Sequence, residues 1–272
     1  MTKFTQTYQT DLKYSEWEQI EQYFPPCKRG RRRKWEMWLI VNAIFYVTRT
    51  GCQWRMLPKD LPPWQTVYGY FARWKRSGVY EQINATLVRQ ARQQAGHEPQ
   101  PSAASIDSQS VKTSEGGEAR GVDVHKQTNG RKRHIVVDTL GFLLMVVVHS
   151  AGRQDAEGGK LTLQALFDRN KKSLHNRWCR LKLIWADGAC KAIVEYARQH
   201  FGWALEIVKR EPGTKGFKVL PRRWVAERSF GWFGRYRRLA RDYEHTVSSS
   251  EAMVYLASIR RTLKVVTTPK SI

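Results

Sequence analysis

The hydrophobic period of the chain changes near residue 96, and that switch limits the folds open to it. Before it the apolar residues recur at helical spacing. Residues 16–24 form a short amphipathic segment, and residues 35–49 are apolar on nearly every side, the pattern of a buried helix. Residues 64–76 and 79–95 continue the pattern after turns at Pro58 to Pro63 and at Ser77-Gly78. Helices of this length with short turns suit a small domain of helix-turn-helix type. Residues 96–102, with Pro99 and Pro101, read as a linker.

After the linker the period is that of strands. Residues 105–112 read as a strand, 114–130 as a polar, glycine-containing loop, and 133–139 with 143–150 as a hairpin turning at Leu140-Gly141. A helix (160–170), a strand (181–186), a helix (191–201), a strand (205–209) and a helix (222–241) follow. Ser248-Ser249-Ser250-Glu251 reads as a capping box that opens a last helix, with Ala252, Tyr255, Leu256, Ile259 and Leu263 on one face. Three successive strands feeding alternating helices and strands predict an α/β fold, a mixed sheet with helices on its faces. The expected division is a helical domain over residues 1–96 and an α/β domain over residues 97–272.

The chain carries a formal net charge of +23, spread along its length: 16 basic and 8 acidic residues up to position 100, 31 and 16 beyond it. A content of 41% hydrophobic and 12% aromatic residues supports a core and excludes global disorder. Such a basic surplus points to nucleic acid as partner; on charge alone a ribosomal or membrane-surface role stays open. No apolar run reaches the ~18–20 residues of a membrane span, and the acidic N-terminal segment lacks the apolar region of a signal peptide. A cytoplasmic protein without a membrane partner is expected. Cys27, Cys52, Cys179 and Cys190 form no C-x-x-C pair, so reduced thiols are expected.

Three acids stand out. Asp107 lies within the first strand, in IDSQSVK, and Asp187 ends LKLIWAD before Gly188. Carboxylates are depleted in strand interiors, and a strand's carboxyl end is where open α/β sheets place ligands. On the residues alone, an ordinary turn aspartate and a functional one are equal readings. Glu227 lies in RRWVAERSFGWFGRYRRLARDYE. A helical wheel sets Val225, Ser229, Trp232, Tyr236, Leu239 and Ala240 on the core face. Glu227 falls on the other side with Gly231, Gly234 and Arg238. Two helix glycines cost about 1 kcal/mol each relative to alanine, which suggests close approach by another chain or a ligand. The plainer reading is a solvated glutamate paired with Arg223 or Arg238.

Six ordered segments carry a resemblance. IDSQSVKT, GRKRHIVVDTLGFLL, ADGAC and RRWVAERSFGWFGRYRRLARDYE, with the N-terminal GCQWRMLP and PPWQTVYGYFARWKRSGVY, resemble the DDE transposases of bacterial insertion sequences, specifically the insertion sequence five family. The resemblance spans roughly residues 12–266. It implies a ribonuclease-H-like catalytic domain, with Asp107, Asp187 and Glu227 as both the catalytic residues and the ligands of a divalent metal, Mg2+ or Mn2+. It places Arg223 four residues before the glutamate. The family signature has a Tyr three before that Arg and a Lys seven after the Glu; Leu220 and Gly234 stand there in this chain, leaving Arg235, Arg237 or Arg238 as substitutes. His125 falls in a loop expected to be small and glycine-rich in relatives. The implied activity is binding of terminal inverted repeats, cleavage, and transfer of the 3′-hydroxyl to target DNA, by a homodimer on double-stranded DNA at the nucleoid.

The residue types suit that chemistry. Two metal ions can activate the attacking oxygen and stabilise the leaving one, and hard cations prefer carboxylate oxygens. Residues 209–241 hold 11 Lys and Arg against Glu211 and Glu227, and Arg223, Arg235 and Arg238 are the expected DNA contacts there. CKRGRRRK, residues 27–34, makes Arg31, Arg32 and Arg33 a candidate phosphate clamp. GRKRH, residues 130–134, offers Arg131, Lys132 and Arg133. Asp123, Asp138 and Asp155 are local rivals to the three acids; Asp138 reads as a hairpin-turn residue and Asp155 as a helix start. The seven histidines form no H-x-H pair and no H-x-x-R, against a histidine-metal nickase and a tyrosine recombinase. A non-catalytic DNA-binding regulator and a metal-dependent nuclease of the same fold are the alternative functions.

Overall fold

A computed structural model describes residues 4–25, 33–114, 116–172, 178–208 and 220–268. Among these, four helices precede the first strand: α1 (Tyr14–Glu18), α2 (Met37–Thr50), α3 (Trp64–Arg76) and α4 (Val79–Gln94). The all-round apolar α2 is buried as its pattern requires, with Ile40, Val41, Ala43, Ile44, Phe45 and Val47 in the core. It stops at Gly51, whose φ of 74° is open to glycine at little cost. A β-carbon there would lie 3.1 Å from the backbone of Arg237, so the glycine also lets the C-terminal part of the chain lie against the end of α2.

The strands are β1 (Ala103–Lys112), β2 (Gly121–Asp123), β3 (Thr128–Asp138), β4 (Leu143–Ser150), β5 (Leu183–Ala186) and β6 (Ala204–Ile207). β3 pairs antiparallel with β1, β2 and β4; β1 pairs parallel with β5, and β5 parallel with β6. The sheet therefore runs from β2 and β4 through β3, β1 and β5 to β6. β2 lies inside the segment that reads as a polar loop. It pairs only at Gly121, Val122 and Asp123, too short a run to show a period.

The strand pleat separates two layers. Ala104 and Ile106 of β1 meet Leu163 and Leu166 of α5 (Asp155–Lys172) and Ala197 of α6 (Val194–Phe201). On the other face, Ile135, Val146 and Val148 meet Ala226 and Phe230 of α7 (Pro221–Phe233) and the apolar residues of α9 (Val247–Thr267). The same core contains Leu12, Trp17, Ile44, Phe71 and Ile83 of the N-terminal helices. The last helix thus packs with the first ones in space.

Two helix expectations are corrected. The expected 222–241 helix breaks into α7 and α8 (Arg237–Ala240), with Gly234 as the C-cap of α7. α9 begins at Val247 on Thr246, whose hydroxyl accepts from the Ser249 N–H. Glu251 does not close a capping box; its carboxylate accepts from the Val148 N–H of β4 at 3.0 Å.

Candidate active site

β1 and β5 pair with a constant offset of 80 residues, ending at Ser105 opposite Trp185. Asp107 and Asp187 each lie two residues past that last pair. Asp107 lies between buried Ile106 and half-buried Ser108, and its carboxylate accepts from the Ser108 N–H at 2.7 Å. Asp187 follows the last residue of β5 and caps the 3-10 turn Gly188–Ile193, accepting from the Ala189 N–H at 3.1 Å. An aspartate caps such a turn because its short carboxylate reaches the free N–H groups two residues on. Glu227 comes from α7, which packs on β1; it is half-exposed and lies 3.6 Å from Arg223 one turn earlier.

Electrostatics ties the three acids together. Burial pushes the Asp107 carboxyl up to about 6; the Ser108 N–H and Arg223 oppose the shift, while the charges of Asp187 and Glu227 add to it. Cys190, buried beneath the turn, is pushed up to about 12 by burial and then by Asp187, Asp155 and Asp107. Its thiol stays protonated and is a poor nucleophile.

The three carboxylates share a field without sharing a coordination sphere: among the described residues, no three His, Cys, Asp or Glu side chains are gathered closely enough to hold one ion. The donor chemistry does fit a hard divalent cation. All three groups offer only carboxylate oxygens, and their mutual repulsion, felt by Asp107, is what a cation between them would relieve.

The structure corrects several expected DNA contacts. Arg131, Lys132 and Arg133 are 0%, 3% and 2% exposed, because both faces of β3 are covered. Arg131 donates to the carbonyls of Glu118, Glu244 and His245 and pairs with Asp242. Lys132 pairs with Asp123 and Asp155, and Arg133 donates to the Leu239 carbonyl. Arg238 is buried against Glu244 at 2.7 Å. These four side chains are used inside the fold. Arg223 stands beside Glu227, Arg235 is exposed, and Arg33 is partly exposed. Arg31 and Arg32 lie outside the described residues. His125 is exposed at the tip of the β2–β3 turn.

The rival acids separate by partner. Asp138 is fully buried in an ion pair with Arg92, and its carboxylate accepts from Leu140 and Phe142, the hairpin-turn role expected of it. Asp155 does begin α5; its carboxylate accepts from the Ser108 hydroxyl at 2.9 Å and meets Lys132 at 3.0 Å. Ser108 and Lys132, which thereby anchor β1 next to Asp107, carry no sequence signal for that role.

Two family models match. One for the transposase DDE domain covers residues 98–260, and one for transposases of the IS4/5 family covers residues 12–84. The uncharacterized protein y4sN of Sinorhizobium fredii is 31% identical over 81 residues, 29% of this chain; the chain spans 65% of that protein, less than two thirds of its length. The mixed sheet, with β1 antiparallel to β3, parallel to β5 and flanked by helices, is the ribonuclease-H-like fold that the DDE match implies. With both its helical region and its acid-bearing sheet matched, the chain belongs to the DDE transposases of the IS4/5 family.

Proposed function

We propose that this transposase binds the terminal inverted repeats of its element, cleaves at the ends and joins the freed 3′-hydroxyls to target DNA. The observation that supports the reading is that Asp107 and Asp187 each lie two residues past the last pair of the parallel β1–β5 ladder, with Glu227 close enough to add to the shift on Asp107. Asp107, Asp187 and Glu227 would hold magnesium or manganese, which when bound activates the attacking oxygen and stabilises the leaving one. Arg223 holds the Glu227 carboxylate from one turn away. The exposed Arg235 follows α7 and is free to meet phosphate. The attacking groups are water at the element end, then the 3′-hydroxyl that this cleavage releases. Each step breaks one phosphodiester bond to a 3′ oxygen, and the second forms a new one to target DNA. Two copies, one for each element end, act together on DNA at the nucleoid. No described helix is long and apolar enough to cross a membrane.

The test incubates the protein with labelled element ends, magnesium and a target plasmid. Transposition gives cleaved ends covalently joined to the plasmid. Cleavage without joining would indicate a nuclease, and binding without cleavage a regulator.

A further inference from the structure

Ser108 and Ser110 sit on the face of β1 turned away from Asp107, because successive strand side chains alternate. His134 and Lys132 stand opposite them in the β1–β3 register. Each serine hydroxyl donates to a carboxylate, Ser108 to Asp155 at 2.9 Å and Ser110 to Asp123 at 2.5 Å. Both carboxylates converge on one ammonium, that of Lys132, at 3.0 Å and 3.3 Å. Lys132 also donates to the Arg153 carbonyl and is buried. A buried ammonium is costly unless it is paired and hydrogen-bonded, so the lysine fixes both acids around itself. The clip ties β1 to the end of β2 through Asp123, to β3 through Lys132 and to the start of α5 through Asp155. Gly158 lets the first turn of α5 come this close, since a β-carbon there would collide with the His134 and His149 rings.

Ser108 works on both faces of the sheet. Its hydroxyl meets Asp155 on the α5 side, while its backbone N–H donates to the Asp107 carboxylate at 2.7 Å. The bond to Asp155 therefore limits how the peptide between residues 107 and 108 can turn, and with it the direction of the N–H that orients Asp107. Burial raises the Asp155 carboxyl, but the Lys132 ammonium and the Ser108 hydroxyl outweigh it and hold it below the usual carboxylate value. The acceptor is thus charged, and a hydrogen bond to a charged acceptor is about twice as strong as a neutral one. A carboxylate that ligates a cation depends on such partners for its direction. The Ser110–Asp123 bond has the same form but lies two residues further along β1.

Resting on the transposase reading above, we infer that Asp155 is a positioning residue, which through the Ser108 hydroxyl holds the Asp107 carboxylate in the orientation that binds the divalent cation. The test titrates Mn2+ into the full chain without DNA and follows binding by electron paramagnetic resonance, a readout independent of activity. Asp155→Ala and Ser108→Ala should each weaken Mn2+ binding about tenfold or more. The double variant should bind within about twofold of the weaker single one, since both changes break the same link. Ser108→Thr keeps the hydroxyl and should bind like wild type. Ser110→Ala breaks the matching bond on the far side of Lys132; it should lower the melting temperature and leave Mn2+ binding unchanged. If Asp155→Ala melts early, the comparison of Ser108→Ala with Ser108→Thr decides. Wild-type Mn2+ affinity in Ser108→Ala, or an equal loss in Ser110→Ala, would overturn the inference. So would multiplying losses in the double variant, which would make Asp155 a ligand in its own right. Failure of the catalytic reading would appear separately, as equal Mn2+ binding by wild type and Asp187→Asn, and would remove the metal site and this inference with it.

Discussion

Asp107 and Asp187 each lie two residues past Ser105 and Trp185, the last pair of the parallel β1–β5 ladder, although 80 residues separate them in the chain. In a parallel pair, residues at the same level point to the same side of the sheet. Both strands carry their carboxylate at or beyond the carboxyl end of the β1–β5 pairing, where the chain leaves the shared ladder and side chains open to ligand. The third acid arrives from α7, packed across β1.

Asp187→Asn is expected to abolish cleavage and leave DNA binding intact. The amide oxygen can still accept from the Ala189 N–H that caps the turn, so the fold keeps its cap while a carboxylate charge is removed. A gel-shift titration beside a cleavage time course checks this; wild-type cleavage by the variant would remove Asp187 from the site.

Two helix glycines should respond in opposite ways to the same substitution. A β-carbon at Gly231 meets nothing within 4 Å, so Gly231→Ala should stabilise α7 by up to ~1 kcal/mol. Gly231→Leu should fold, melt no lower than wild type, and lose most cleavage if this exposed face meets DNA. A β-carbon at Gly158 would collide with the rings of His134 and His149, a buried pair bonded at 2.9 Å. Gly158→Ala should cost about 1–3 kcal/mol through overpacking. Melting curves of the three variants, with cleavage for Gly231→Leu, decide both points; full activity in Gly231→Leu would show that the face is merely solvated.

Glu251 gives a pH signature. Burial pushes its carboxyl up from 4.5 to about 7, with Glu81 adding to the shift and the Val148 N–H, Arg169 and Lys75 opposing it. Between those values the folded chain binds more protons than the unfolded one, so this group's contribution falls as pH rises from about 4.5 to about 7. Glu251→Gln keeps an acceptor for the Val148 N–H and removes the titration. The difference in stability between variant and wild type should grow across that window to as much as ~3 kcal/mol in the variant's favour. Chemical denaturation at several pH values measures it, and a pH-independent difference would contradict the assignment.

Replacing Arg31, Arg32 and Arg33 by Ala should weaken binding to specific and random duplexes alike. The salt slope should fall by ~0.9 for each duplex phosphate that these side chains neutralise in the wild type. An unchanged slope would place this run away from DNA.

The local elements follow from the order of amino acids alone. α2, α3 and α4 are legible because an apolar stripe at helical spacing is a property of neighbouring residues, and β4 because its β-branched run is bounded by turn residues. Asp107 and Asp187 are visible because a carboxylate beside apolar strand residues is locally out of place. Which charges face solvent is settled by packing. The run around Arg131 reads as a DNA contact, yet its three cations are buried, since carboxylates and carbonyls from Asp123, Asp155, Asp242 and Glu244 reach them across the fold. Long-range neighbours are equally invisible in the sequence: Arg49 and Lys264 lie more than 200 positions apart and line one cleft only because α9 packs among the N-terminal helices. Local propensity depends on adjacent residues; burial and charge compensation depend on partners that folding brings from anywhere in the chain.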